Sequence, residues 1–271
     1  MPRRAGAANG AGDCALSSVA PTCGASEARA MTGGTFGERL LDFYRKLETP
    51  RNLPKGIEVM NPYRDAKVWQ YVTEFCRRFF ADNVPRTLVF GINPGRFGGG
   101  RTGVMFTDPV ALESLCGIRN DLDKRRETSS QFVYDFIESM GGAQRFYGEY
   151  LLTAVSPLGF VRDGLNYNYY DDPLLLERLR PFILRTLERQ LALGTCRGTA
   201  ILLGSGANLK FFTALNQEHG LFRKVLALDH PRFIMQYRRK RVAEYRRAYR
   251  RTFQRARAAC NQSREPSADH E

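Results

Sequence analysis

Histidine and tryptophan are scarce in this 271-residue chain, with three and one copies, and its six cysteines never form a Cys-x-x-Cys pair. A structural zinc needs four closely spaced Cys or His ligands, and an iron–sulfur cluster needs its own cysteine spacing, so neither metal nor cofactor is expected. The scattered thiols, Cys14, Cys23, Cys76, Cys116, Cys196 and Cys260, read instead as reduced cysteines of an intracellular protein. No apolar run approaches the roughly 18 residues needed to span a bilayer, and no apolar signal-peptide core is found near Met1. No internal repeat is visible. Acidic residues are also in deficit: 28 Asp and Glu face 41 Lys and Arg, a formal charge of +13. Such an excess favours nucleic acid as partner over a membrane surface. It is concentrated near the end of the chain, where eleven Lys or Arg lie between His230 and Arg257 against one acid, Glu244.

Residues 1–34, rich in Gly, Ala and Ser, read as a disordered tail, and 259–271 as a flexible one. Residues 35–258 form the expected domain. Phe36, Leu40, Phe43, Tyr44 and Leu47 fall on one helical face; Val68, Tyr71, Val72, Phe75 and Phe79 on a second; Phe132, Phe136 and Met140 on a third. Strand-like runs cover 87–92, 150–155, 199–203 and 224–228, a helix covers 174–193, and a final helix begins near Gln236. Strands alternating with helices predict a single three-layer α/β domain, its central, mainly parallel four-stranded sheet flanked by helices. Sites in such sheets gather beyond the carboxyl ends of the strands. There the polar segments 93–106, 156–170 and 229–235 would converge on one cleft.

Two of these segments carry motifs. The first runs from Gly91-Ile-Asn-Pro-Gly-Arg-Phe-Gly to Thr102-Gly-Val-Met-Phe106. It is glycine-rich after a strand, yet it fits neither the Gly-Lys-Ser/Thr nor the Gly-x-Gly-x-x-Gly nucleotide fingerprint. Taken alone, Asn93-Pro94-Gly95 is also compatible with a simple turn and Phe106 with a core position. The second is Asp229-His-Pro-Arg232, directly after the fourth strand.

Together these segments resemble the uracil-DNA glycosylase superfamily, and within it the single-strand-selective monofunctional enzymes and their bacterial relatives. Gly91 to Phe106 matches that family's first motif without a gap, His230-Pro231 matches the start of its second, and Asn61-Pro62 and Ser156-Pro157-Leu158 add to the likeness. The resemblance covers roughly Glu58 to Phe253 and makes 35–258 a glycosylase domain. It implies a monofunctional hydrolase of base excision repair that flips uracil or a related base out of DNA. It further implies no cofactor and a monomer, working in the nucleus of a eukaryote or the cytoplasm of a prokaryote. No motif lysine is placed to form a Schiff base, so strand cleavage is not expected.

The roles implied follow the chemistry. His230 would donate to the oxygen of the leaving base. Asn93 would orient the attacking water, Phe106 would stack on the base, and Gly95 would bring backbone close to it. Two departures stand out. Ala154 occupies a position where the family commonly carries a base-reading asparagine, which leaves Ser156, Asn166, Asn168 or backbone to read the base edge. Arg232-Phe-Ile-Met235 follows His-Pro, and is open to reading as a wedge in the base stack or as an ordinary helix entry. Arg232, Phe233, Arg238, Arg239, Lys240, Arg246 and Arg250 are the expected DNA contacts. Two other readings remain: a non-catalytic nucleic-acid-binding relative, and a small-molecule α/β hydrolase of phosphorylated substrates.

Overall fold

The computed structural model describes residues 33–262. The tail expected over 1–34 therefore falls, except for Gly33 and Gly34, outside the described residues, as does 263–271. The chain begins with helix α1 (Phe36–Arg45), strand β1 (Ile57–Met60), helix α2 (Ala66–Phe79) and strand β2 (Thr87–Gly91). Four helices follow: α3 (Gly99–Thr102), α4 (Pro109–Ser114), α5 (Thr128–Ser139) and α6 (Gly142–Glu149). Strands β3 (Tyr150–Ala154), β4 (Gly159–Arg162) and β5 (Leu165–Tyr167) lead to helix α7 (Pro173–Leu191). The last third runs through β6 (Thr199–Leu203), α8 (Ala207–His219), β7 (Lys224–Leu228), α9 (Pro231–Tyr237) and α10 (Val242–Gln262).

Strands β3, β2, β6 and β7 form, in that order, a wholly parallel sheet. β2, β3 and β6 are buried along their whole length, which is why they read as continuous apolar runs and not as alternating ones. The helical faces read from the sequence are the buried ones: all five apolar positions named in each of the first two are in the core. The chain leaves β2 for β3 on one side and returns to β6 on the other. The carboxyl end of β2 is thus a topological switch point, where a crevice opens. The loop after β2 is anchored there, because the Val155 and Ser156 N–H groups donate to the Gly91 and Ile92 carbonyls at 3.0 and 3.1 Å.

Some findings differ from expectation. A second, antiparallel sheet has the order β1-β4-β5, and its strands, three or four residues long, are too short for their pattern to announce them. The final helix does not begin near Gln236. Pro231 starts the separate α9, a 3-10 turn spans Arg239–Arg241, and α10 then runs to Gln262, beyond the boundary placed at 258. The last turn of α10 packs against the segment before β6 and brings Cys260 to a Cα separation of 5.5 Å from Cys196, where the two are joined as a disulfide. This corrects the expectation of uniformly reduced thiols; Cys76 and Cys116 are free and buried.

Candidate active site

A cavity of about 150 Å³ opens at the switch point, lined by Ile92, Asn93, Gly95, Phe106, Glu127, Asn166, Asn168, His230 and Arg232 among others. Both motifs therefore meet there. Phe106 is buried with φ +57°, a left-handed backbone rarely adopted by a bulky residue. That conformation lays its ring against β2. A Cβ on Gly91 would stand 2.7 Å from the Phe106 Cζ, so glycine is required at 91 to admit the ring. The ring lies 5.7 Å from that of His230, tilted by 44°.

His230 is the N-cap of α9, its Nδ1 accepting the Arg232 N–H at 3.2 Å, with Pro231 at the first helical position. A nitrogen that accepts carries no proton, so the imidazole proton resides on Nε2. Burial, and next the charge of Arg232, push its pKa down to about 4. His230 is accordingly a neutral ring at pH 7 and a hydrogen-bond donor through Nε2. The preceding Asp229 is fixed from two sides: its carboxylate accepts from the Ser205 hydroxyl and its carbonyl from the Tyr249 hydroxyl.

Asn93 lines the cavity, but its carboxamide is engaged on both sides. Nδ2 donates to the Tyr167 carbonyl and Oδ1 accepts the Tyr169 N–H, each at 3.2 Å. It braces the segment after β5 against the first motif. Asn168 lines the cavity with Nδ2 bonded to the Asp171 carboxylate at 3.0 and 3.1 Å. Asn166 is also in the wall, its Oδ1 accepting the Arg96 N–H at 3.0 Å. Ser156 is elsewhere: fully buried, it donates to the Leu158 carbonyl at 2.9 Å and does not line the cavity, because its strand-end N–H and hydroxyl are both turned into the chain. It is therefore not among the residues that the structure brings into the cavity wall. Ala154, fully buried opposite Gly91, is not in the wall either.

Glu127, which carries no motif signal in the sequence, is in the wall. Its carboxylate occupies the space where a Cβ on Gly98 would stand, and lies 3.0 Å from that of a Cβ on Gly95. The glycines of the first motif thus admit a carboxylate from α5's N-cap position. Its N–H donates to Asp108 at 2.8 Å. Burial, then the neighbouring Asp108 carboxylate, raise the Glu127 pKa to about 7, against the opposing influence of Arg232.

The expected DNA contacts divide. Arg232 lines the cavity and Phe233 is on the surface, its ring tilted against that of Tyr237 at 5.5 Å, with the Arg238 guanidinium 5.3 Å from its ring centre. The 232–235 segment is a helical turn with Ile234 in the core, and not an apolar loop tip. Arg238, Arg239 and Lys240 are exposed on the turn before α10. Arg246 pairs with Asp135 at 3.5 Å, and Arg250 donates to the Ser139 carbonyl at 2.5 Å, so both tie α10 to α5.

A comparison with protein families matches residues 78–254 to the Uracil DNA glycosylase superfamily, and the chain belongs to that superfamily. Among solved structures it is similar to wild-type SMUG2 of Pedobacter heparinus, with 37% identity, a TM-score of 0.78, and coverage of 81% of this chain and 97% of that one. A comparison with curated proteins finds no match. No helix among the described residues is long and apolar enough to cross a membrane.

Proposed function

We propose that this chain is a monofunctional DNA glycosylase that hydrolyses the N-glycosidic bond of uracil or a related damaged base in base excision repair. The observation that carries this reading is His230, its Nδ1 engaged by the Arg232 N–H, beside the buried Phe106 ring in a cavity of about 150 Å³. That volume is below the roughly 300–1,000 Å³ of drug-sized ligand pockets, and suits a single flipped base. In the reaction the C1′–N bond breaks, its electron pair leaves with the base, and His230 Nε2–H stabilises the negative charge on the base oxygen. Water adds to C1′ and gives up a proton.

The proton acceptor in this reading is Glu127. Asn93 has both ends of its carboxamide committed to backbone and serves to brace the wall and orient the water through its remaining lone pair. The Glu127 carboxyl lies in the same wall with a pKa near 7, where a general base is effective. Asn166 Nδ2 and Asn168 Oδ1 are the groups left to read the base edge in place of a residue at 154. The test is base release from single-stranded oligonucleotides carrying uracil, xanthine, hypoxanthine or an oxidised pyrimidine. A free base and an alkali-labile site in an otherwise intact strand are expected for at least one; no release from any would leave only a binding role.

A further inference from the structure

A second, wider cleft of about 420 Å³ adjoins the first and shares Glu127, Ser129, Asn166 and Arg232 with it. Its remaining wall is largely cationic: Arg96, Arg125 and Arg126, with Phe97, Thr128 and Leu165. None of Arg96, Arg125, Arg126 and Arg232 forms an ion pair among the described residues. The acids of α4 and of the loop after it are held by other cations. Asp121 binds Lys67 and Tyr71, Asp123 faces Arg101 at 4.0 Å, and Glu113 binds Lys124 at 2.6 Å. Four guanidinium groups thus face a wall in which Glu127 is the sole carboxylate.

The arginines are also ordered. The Arg125 guanidinium carbon lies 3.8 Å from the Phe97 ring centre and that of Arg96 lies 4.6 Å from it, so the aromatic ring holds two planar cations in place. Arg96 also donates from Nη1 to the Gly164 carbonyl, and keeps its Nε buried without a partner. Planar guanidinium groups with spare donors match a tetrahedral, doubly accepting anion better than they match water.

We propose that this outer cleft is a phosphodiester subsite, which holds the strand beside the flipped nucleotide through Arg125, Arg126 and the Phe97-braced Arg96. The proposal rests on the glycosylase reading for the identity of the inner ligand. It follows from continuity: a base seated in the inner cavity has its sugar at the shared residues and its phosphate in the outer cleft. None of Arg96, Phe97, Arg125 and Arg126 was expected from the sequence to touch DNA.

The test uses the full chain and a uracil-free single-stranded thymidine oligonucleotide, with binding followed by fluorescence anisotropy between 50 and 200 mM salt, conditions chosen for counterion release. No turnover is involved, so a chain inactive as a glycosylase can still pass. On a single strand, each phosphate that is no longer neutralised flattens the log–log salt dependence by about 0.7. Arg125→Ala with Arg126→Ala should therefore flatten it by about 1.4, while Arg125→Lys with Arg126→Lys, which keeps the charges, should restore most of the slope. Phe97→Leu removes no charge and should weaken binding about two- to fivefold with the slope kept. An unchanged slope in the double alanine variant, with circular dichroism showing it folded, would overturn the proposal. So would displacement of the oligonucleotide by inorganic phosphate or thymidine monophosphate at equal phosphate concentration, which would mark a site for small phosphorylated ligands.

Discussion

The inner cavity and the outer cleft share a wall but are built from opposite materials. The inner one is made mainly of groups that are neutral or nearly so at pH 7: an uncharged histidine, an aromatic ring, carboxamides and a carboxyl poised near neutrality. The outer one is lined mainly by guanidinium groups. Chemistry and grip are therefore separable. Changes in the inner wall should alter kcat and leave salt dependence alone, and changes in the outer wall should do the reverse. The same contrast applies to arginines elsewhere. On α10 the sequence concentrates charge, yet Arg246 and Arg250 are occupied by α5, whereas the less conspicuous arginines of the cleft have no ion-pair partner among the described residues.

The largest effect is expected at His230. His230→Ala should lower the single-turnover rate by roughly a hundredfold or more, as loss of an oxyanion donor does, with an unchanged salt slope. Because His230 also caps α9, His230→Asn is the sharper variant: asparagine caps a helix well, so a loss shared by both variants belongs to chemistry and not to folding. A near-normal rate in either would break the contrast.

Glu127→Gln should lower the rate by about a hundredfold at pH 8. It should also change the pH profile. A base acts only when ionised, so wild-type activity should be present above about pH 7 and fall about tenfold per unit below it, while His230 stays neutral down to about pH 4. Of the charges near Glu127, Asp108 from the start of α4 raises its pKa and Arg232 from α9 lowers it. In Glu127→Gln the acid limb should disappear; persistence of the limb would assign it to another group.

Ala154→Asn probes the departure from the family pattern. At 154 the side chain is fully buried opposite Gly91, against which the Phe106 ring is already packed. The larger residue should cost about 1–3 kcal/mol of stability by overpacking, read as a lower melting midpoint, and should not sharpen the preference for uracil over xanthine. A gain in that preference at normal stability would place 154 in the reading of the base after all.

The smallest effect separates the arginines of α10. Arg247→Ala with Arg251→Ala, both exposed, should flatten the single-strand salt slope by at most about 1.4. Arg246→Ala with Arg250→Ala should leave it nearly unchanged. Its stability cost should be under about 1 kcal/mol, since the Arg246–Asp135 pair is largely solvent-exposed. Equal slopes from the two pairs would erase the distinction between occupied and unoccupied charge.

Much of this arrangement was legible in the sequence because buried parallel strands leave uninterrupted apolar runs, as at 199–203, which agrees with β6 at both ends; 224–228 agrees with β7 as well, although that edge strand is only partly covered. Asn93, Phe106 and His230 could be read because each stands in a contiguous motif. What escaped depends on contacts between distant segments. β4 and β5 are three or four residues long, with Leu165 exposed, and nothing in so short a stretch reveals its partner. Cys196 and Cys260 are 64 residues apart. Glu127 follows Lys124-Arg-Arg126, a run that reads as a solvated turn, and only the close approach of Gly95 and Gly98 makes it part of the wall. A signal did exist: a glycine-rich loop that matches no phosphate fingerprint implies that something other than phosphate lies against its backbone.

The Gly98–Glu127 contact also bears on how such chains diverge. Two positions 29 apart in sequence compete for one volume, so a side chain at 98 requires the Glu127 carboxylate to move. Among homologues, a side chain at 98 should coincide with the loss or shortening of the residue at 127, and glycine at 98 with its retention, a pairing that would surface as covariation. A side chain gained at 98 would push the carboxylate out of the place it holds in the wall, so the pocket's acidic group and its glycine should tend to be inherited together.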